Sequence, residues 1–386
     1  MTRTHGAAAL AVLALLAAGC GPQQPAAGRH GATTGQPARA ASGGFTLLAT
    51  GDVLPHTEII EQARKDAQGR GHDFGPMLAG VRPLVSAADL AICHMETVYG
   101  EDGGPFTGYP AFKSPPQVAA ALKATGYDSC STASNHTLDD GPAGIRRTLD
   151  ALDAAGVRHA GSARTADEAG RPTLLKAGRA KVAQLAYTYG TNGIAVPEGQ
   201  PWSVNLIDRD RILADARTAR RAGADVVVVS LHWGTEWQQE PDEQQHTLAH
   251  ALTAARTGGR PDIDLLLGTH AHVPQAYEKV NGTWVVYGMG DQLAGYMYNP
   301  QGAVDSRGNQ SSIARFTFAP PDAAGRPWTV TKAEFTPQLT DVEQAFRVVP
   351  LTGGAPGGSA HARARDAVRE VVLSRGAADD GLKMAG

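Results

Sequence analysis

Cysteine is scarce in this chain of 386 residues: Cys20, Cys93 and Cys130 are all there is. Their spacing matches no zinc site, so a thiolate-held structural metal is excluded. An excess of basic charge is also missing. With 35 Lys and Arg against 38 Asp and Glu the formal charge is -3, and the basic footprint of a nucleic-acid binder is absent. No apolar run in the body of the chain is long enough to span a bilayer. No internal repeat is visible. What remains is 42% hydrophobic residues, enough for one large globular domain or two smaller ones.

The N-terminus reads as a targeting segment. Arg3 supplies the positive charge, and Ala7 to Ala18 form an apolar stretch of signal-peptide type. Small residues then precede Cys20 in Leu16-Ala17-Ala18-Gly19-Cys20. That arrangement resembles a bacterial lipobox, making residues 1–20 a lipoprotein signal-peptide segment in which Cys20 would be lipidated and become the mature N-terminus. Plain secretion is the alternative. The expected location is therefore the outer face of the cell membrane, held by a lipid anchor, or the exterior. Residues 21–44 are rich in Ala, Gly, Pro, Gln and Thr, the composition of a flexible tether.

From Phe45 onward strand-like and helical patterns alternate. Phe45 to Thr50, Ala87 to Cys93, Tyr127 to Thr132, Lys181 to Tyr187 and Asp225 to Leu231 read as strands. The last of these carries the β-branched run Val226 to Val229, as a strand buried on both faces should. Ile263 to Leu267 and Thr283 to Tyr287 are further strands. Pro116 to Ala124, Pro142 to Ala155, Asp208 to Ala222 and Gln244 to Arg256 carry helical apolar periods. Ser312 to Phe318 and Trp328 to Phe335 form an expected antiparallel pair. The fold class is α/β with mixed sheets. A single domain is expected over residues 45–340, followed by a tail over 341–386 with one short helix. Cys93 and Cys130 lie in strand-like runs and could oxidise outside the cell if those strands were adjacent. Two separate buried thiols is the preferred expectation.

The polar ends of these strands carry the chemistry. They read Gly51-Asp52 with His56, His94-Met95-Glu96, Asn135-His136 with Asp139, His232 with Glu236, and His270-Ala271-His272. Rigid strand ends bearing Asp, Glu, Asn and His are how an α/β scaffold builds a mixed nitrogen and oxygen metal site. The expected metal ligands are Asp52, Glu96, Asn135, His232, His270 and His272. Alternation places His94 and Glu96 on one face, and extended geometry would point His270 and His272 the same way. His136 is the expected general acid or substrate-anion contact, oriented by Asp139. His56, Lys113, Glu236 and Gln275 are the expected substrate contacts. Mixed ligands of this kind suit Mn, Fe or Zn, and two divalent ions are expected. His159, His246 and His250 read as surface residues.

Taken together, these pieces resemble the CapA family, the poly-γ-glutamate capsule proteins. The likeness runs from about Phe45 to about Phe335. It rests on Gly51-Asp52, Glu96, Tyr109-Pro110-Ala111-Phe112, Ser134-Asn135-His136, Tyr187-Thr188-Tyr189-Gly190, His232-Trp233-Gly234, His270-Ala271-His272 and Tyr287-Gly288-Met289-Gly290. Met95, Leu54 and Gly290-Asp291-Gln292 depart from the usual pattern. The resemblance implies a four-layer α/β/β/α sandwich of the metallophosphatase (calcineurin-like) type. It implies a role with a capsule or envelope polymer beside membrane proteins of capsule synthesis. Three activities are open at this point. One is a metal-dependent hydrolase of a phosphoester or amide, acting on an anionic polymer or on a phosphorylated or peptide substrate. Another is a non-catalytic binder that grips an anionic polymer through a cation and Lys113. The third is a metal-dependent peptide epimerase.

Overall fold

The structure is a computed structural model and describes residues 43–323, 326–353 and 359–385. The expected signal peptide, its Cys20 and nearly all of the tether lie outside the described residues. Two mixed sheets dominate. In the larger, the strands run in the order Arg347–Pro350, Thr329–Asp341, Gln310–Ala319, Phe45–Leu54, Leu90–Met95, Ser129–Ser131 and Arg158–Ala160. Asp291–Ala294 also pairs with Phe45–Leu54, and Leu382–Met384 with Thr329–Asp341. The smaller sheet is ordered Tyr277–Val280, Thr283–Val286, Leu265–Thr269, Val226–His232, Ala180–Thr188 and Thr173–Ala177.

The alternation of side chains explains how the sheets stack. Val226 and Val228 face the larger sheet and pack with Leu47, Ala49, Ile92 and Phe316. Val227 and Val229 face the other way, onto Ile212, Ala216 and Ala219 of the helix Arg209–Arg221 and onto Leu248 and Leu252 of the helix Glu243–Ala254. On the outer side of the larger sheet, Leu48, Ala91 and Met95 pack with Ile59, Leu122, Ile145 and Leu149 from three helices. The result is helix, sheet, sheet, helix: the four layers implied by the resemblance.

Three expectations need correction. The described residues after 340 contain the expected short helix but do not form a separate tail. Arg347–Pro350 and Leu382–Met384 extend the larger sheet, and Val368 and Val372 of the helix Ala360–Val372 enter the core between the sheets. Their strands are too short to carry a period. Cys93 and Cys130 are not separate thiols: they oppose each other on adjacent parallel strands and form a disulfide. Of the histidines read as surface, His250 is exposed, but His159 and His246 are half-buried. His159 sits beside Asp153 and His246 beside the Tyr287 hydroxyl.

The central strands of both sheets run parallel, so their carboxyl ends open on the same side, the usual place for a site in an α/β sheet. Two glycines set the approach of backbone there. A Cβ on Gly51 would lie 1.7 Å from the carbonyl oxygen of Gly290, and one on Gly268 would lie 1.8 Å from that of Tyr287. Only glycine allows such contact.

Candidate metal centre

The register of the strands assembles the site. Asp52 is paired with His94 on one side and Asp291 on the other. In the smaller sheet His232 is level with Thr269, and His270 follows directly. Asp52 Oδ1 lies 3.5 Å from His94 Nε2 and 3.8 Å from His232 Nδ1. His232 Nε2 lies 3.8 Å from Glu96 Oε1 and 2.8 Å from Asn135 Oδ1. His272 Nδ1 lies 3.0 Å from Asp291 Oδ1. The ligand atoms of Asp52, His94 and His232 fall within 4.8 Å of one another, as do those of Asp52, Glu96 and His272, and those of Glu236, His270 and His272. Asp52 therefore belongs to two groups, and His272 also to two.

All of these side chains except Glu236, which is exposed, are buried. Six of their atoms find no hydrogen-bond partner: Asp52 Oδ1, His94 Nε2, both oxygens of Glu96, His270 Nδ1 and Asp291 Oδ2. A buried carboxylate or imidazole left in that condition is costly. Every orphan is a metal-ligand atom type, and carboxylate oxygens with imidazole nitrogens are the donors a divalent transition ion takes. The residues present fit such an ion.

The electrostatics say the same. Burial, with Asp291 close by, pushes the Asp52 carboxyl up to about 8. Burial and the neighbouring Asp52 hold Glu96 well above the usual carboxylate range. Burial lowers His94 to about 3 and keeps His232 and His270 neutral. Burial opposes charge on His272 too, but Asp291, Glu96 and Asp52 outweigh it and raise its pKa. So many carboxylates ionise together in a dry site only beside strong positive charge, which a divalent cation held by these residues would supply.

The outer contacts orient the ligands. Ser131 Oγ lies 2.7 Å from His94 Nδ1, and Thr269 Oγ1 lies 3.0 Å from His232 Nδ1. The backbone N–H of His270 donates to Asp52 Oδ2. His270 and His272 are not in extended backbone as expected. Both have positive φ, +95° and +57°, a left-handed conformation that costs about 1–3 kcal/mol at a non-glycine residue and gathers at functional sites. Both rings still turn to the centre.

His136 Nδ1 lies 2.7 Å from Asp139 Oδ2, which also accepts the N–H of Phe112. A carboxylate only accepts, so Nδ1 carries the proton and Nε2 is the exchangeable position. The Phe112 ring is edge-on to both His136 and His56. Burial lowers His56 to about 4. Gln275 is placed away from the site chemistry. Its amide oxygen accepts from Gln245, and its nitrogen donates to the carbonyl of Gln238. Lys113 pairs with Thr107 through its backbone, in the loop that carries Phe112.

Sequence reasoning left out three residues. His94 stands one step from Glu96, and alternation already gave it the right face. Asp291 was visible only as a departure from a familiar pattern. Tyr189, 43% exposed, lies against His270 with ring centres 4.5 Å apart and ring planes tilted by 36°. It stood in the sequence only as part of the Tyr187-Thr188-Tyr189-Gly190 segment of the resemblance, with no role attached.

With this geometry in view, the comparisons identify the class. The family described as "Bacterial capsule synthesis protein PGA_cap" matches residues 46–296, and the chain belongs to that family. It is 27% identical over 180 residues to "Capsule biosynthesis protein CapA" of Bacillus anthracis, covering 45% of this chain and 42% of that relative. It is 27% identical over 291 residues to "Probable polyglutamine synthesis accessory protein" of Mycobacterium tuberculosis, covering 66% and 73%. Against "PGA biosynthesis protein CapA" of Bacillus subtilis it is 28% identical over 172 residues, covering 44% and 43%. Among solved structures, the NAD nucleotidase of Haemophilus influenzae is similar at a TM-score of 0.44 and 13% identity, over 90% of this chain and 58% of that one. At that score the likeness carries no functional weight.

Proposed function

We propose that the chain is an exported, metal-dependent hydrolase that acts on a phosphoester or amide of an anionic envelope polymer or its precursor. The observation that carries this reading is Asp52: one buried carboxylate shared by two groups of ligand atoms. Two divalent ions of the Mn, Fe or Zn kind, held by Asp52, Glu96, Asn135, His94, His232, His270, His272 and Asp291, would lower the pKa of a water and offset anionic charge. Asp139 holds the His136 ring through Nδ1–H, and in its imidazolium form the ring would give the Nε2 proton to the leaving group. Phe112 packs on that ring and excludes water from one side of it. Tyr189, His56 and Glu236 line the approach. The Cys93–Cys130 disulfide supports export, since such bonds persist in oxidising compartments. Anchoring through a lipid on Cys20 and contact with capsule-synthesis membrane proteins belong to the same proposal.

The test is hydrolysis of an aryl phosphate and of γ-linked polyglutamate by the metal-loaded protein. The reading expects Mn- or Zn-dependent turnover of one of them and its loss in His136→Ala. Tight binding of polyglutamate with no turnover under any metal would replace the hydrolase by a cation-assisted polymer binder.

A further inference from the structure

A cavity of about 720 Å³ opens where the edge strand Arg158–Ala160 meets the strand Ala180–Thr188. No residue of the metal centre lines it. Its size suits a small-molecule ligand. Five arginines line it, and two are already committed. Arg164 holds Asp153 and Glu168, and Arg211 faces Asp215 at 3.6 Å.

The other three differ. Arg146 comes from the helix Gly141–Ala155, Arg158 from the edge strand, and Arg171 from the turn after Ala166–Ala169. None has an ion-pair partner among the described residues. Asp167 is the single lining carboxylate that is likewise unpaired. Three free guanidinium groups against one free carboxylate leave the cavity a surplus of positive charge. At the wall, the fully buried Gln184 keeps an amide nitrogen without a partner. Separate solvated arginines would not need to converge from three elements on one concavity. Guanidinium forks match carboxylate and phosphate oxygens in pairs.

We propose that this cavity is a second ligand site, for an anion carrying two or more carboxylate or phosphate groups. The site is independent of the metal centre and of the hydrolase reading. The test is calorimetric titration of the full chain, stripped of metal and then dialysed free of chelator, using citrate and pyrophosphate as probes at low and high salt. The triple variant R146Q/R158Q/R171Q is titrated beside it. All three side chains are exposed, so the variant keeps its core, and thermal melting checks that it folds. The expected result is binding of at least one probe that weakens with salt and falls by about tenfold or more in the variant. The order of the two probes then says which oxyanion the site takes. No binding of either probe by the unaltered chain at millimolar concentration, or equal binding by a folded triple variant, would overturn the proposal.

Discussion

The two sheets contribute different chemistry to the centre, and they hold it in different ways. From the larger sheet come the carboxylates Asp52 and Asp291, lying in register within paired strands, with Glu96 just past a strand end and His94 as that sheet's one imidazole in the ligand set. From the smaller come His232, at a strand end, and then His270 and His272, on a bend with left-handed backbone. The carboxylate half is fixed by the same hydrogen bonds that build the sheet. The imidazole half past Thr269 has no ladder and depends on its partner. The N–H of His270 donates to Asp52, and His272 lies against Asp291. A rigid acidic half therefore positions a strained basic half, and Asp52 joins them.

The largest test of this asymmetry is Asp52→Ala. It removes the shared carboxylate and the anchor of the His270 backbone. Turnover on whatever substrate the screen identifies should fall on the order of a thousandfold, and elemental analysis should show that neither ion is retained. Retention of one ion would show that the halves are independent.

Next is His136→Ala, which touches proton transfer but neither half of the ligand set. A loss of roughly a hundredfold or more in kcat is expected, with unchanged metal content. Asp139→Asn should cost less, about 10–100-fold, because the ring stays in place with its preferred proton position weakened. A drop in metal content in either variant would move His136 into the ligand set.

Glycine at the closest approach of the acidic half is the third test. Gly51→Ala places a methyl group against the Gly290 carbonyl. A loss of about 1–3 kcal/mol in denaturant unfolding is expected, with a weaker metal affinity. A neutral result would mean that the strand shifts freely and that register does not position Asp52.

The smallest effect is one of pH on chelator-treated protein. When folded, Asp52 keeps its proton up to about 8, and Glu96 and His272 are also raised. Above the ordinary histidine value near 6.5, the folded state therefore binds more protons than the unfolded one. Stability should fall as pH rises from about 6.5 to about 8. Below that window His94, His232 and His270 oppose the trend, since they are neutral when folded and charged when unfolded. Adding Mn or Zn should remove the fall. A rise of stability with pH across the same window in stripped protein would reject this picture of the acidic half.

The contrast between the halves also explains what could be read in the sequence. Strands with a two-residue period or an unbroken apolar run were legible, and with them Asp52, Glu96 and His232 at their ends. The order of the strands was not, because pairing such as Phe45–Leu54 with Asp291–Ala294 joins residues far apart in sequence. That is why Asp291 stood out only as a departure from a pattern and not as part of the site. Adjacency of Cys93 and Cys130 is the same kind of information. His270 and His272 were found by residue type, but their geometry came out differently, since the left-handed backbone is stabilised by contacts across the site. Gln275 carried the right residue type near the right strand, and its amide is taken up by Gln245 and the Gln238 carbonyl.

The most direct test of the shared-carboxylate account is the metal content of the protein purified without chelator, measured by elemental mass spectrometry beside Asp52→Ala. The account predicts about two transition-metal ions per chain, both lost in the variant. One ion or none, even after reconstitution with Mn and Zn, would contradict it.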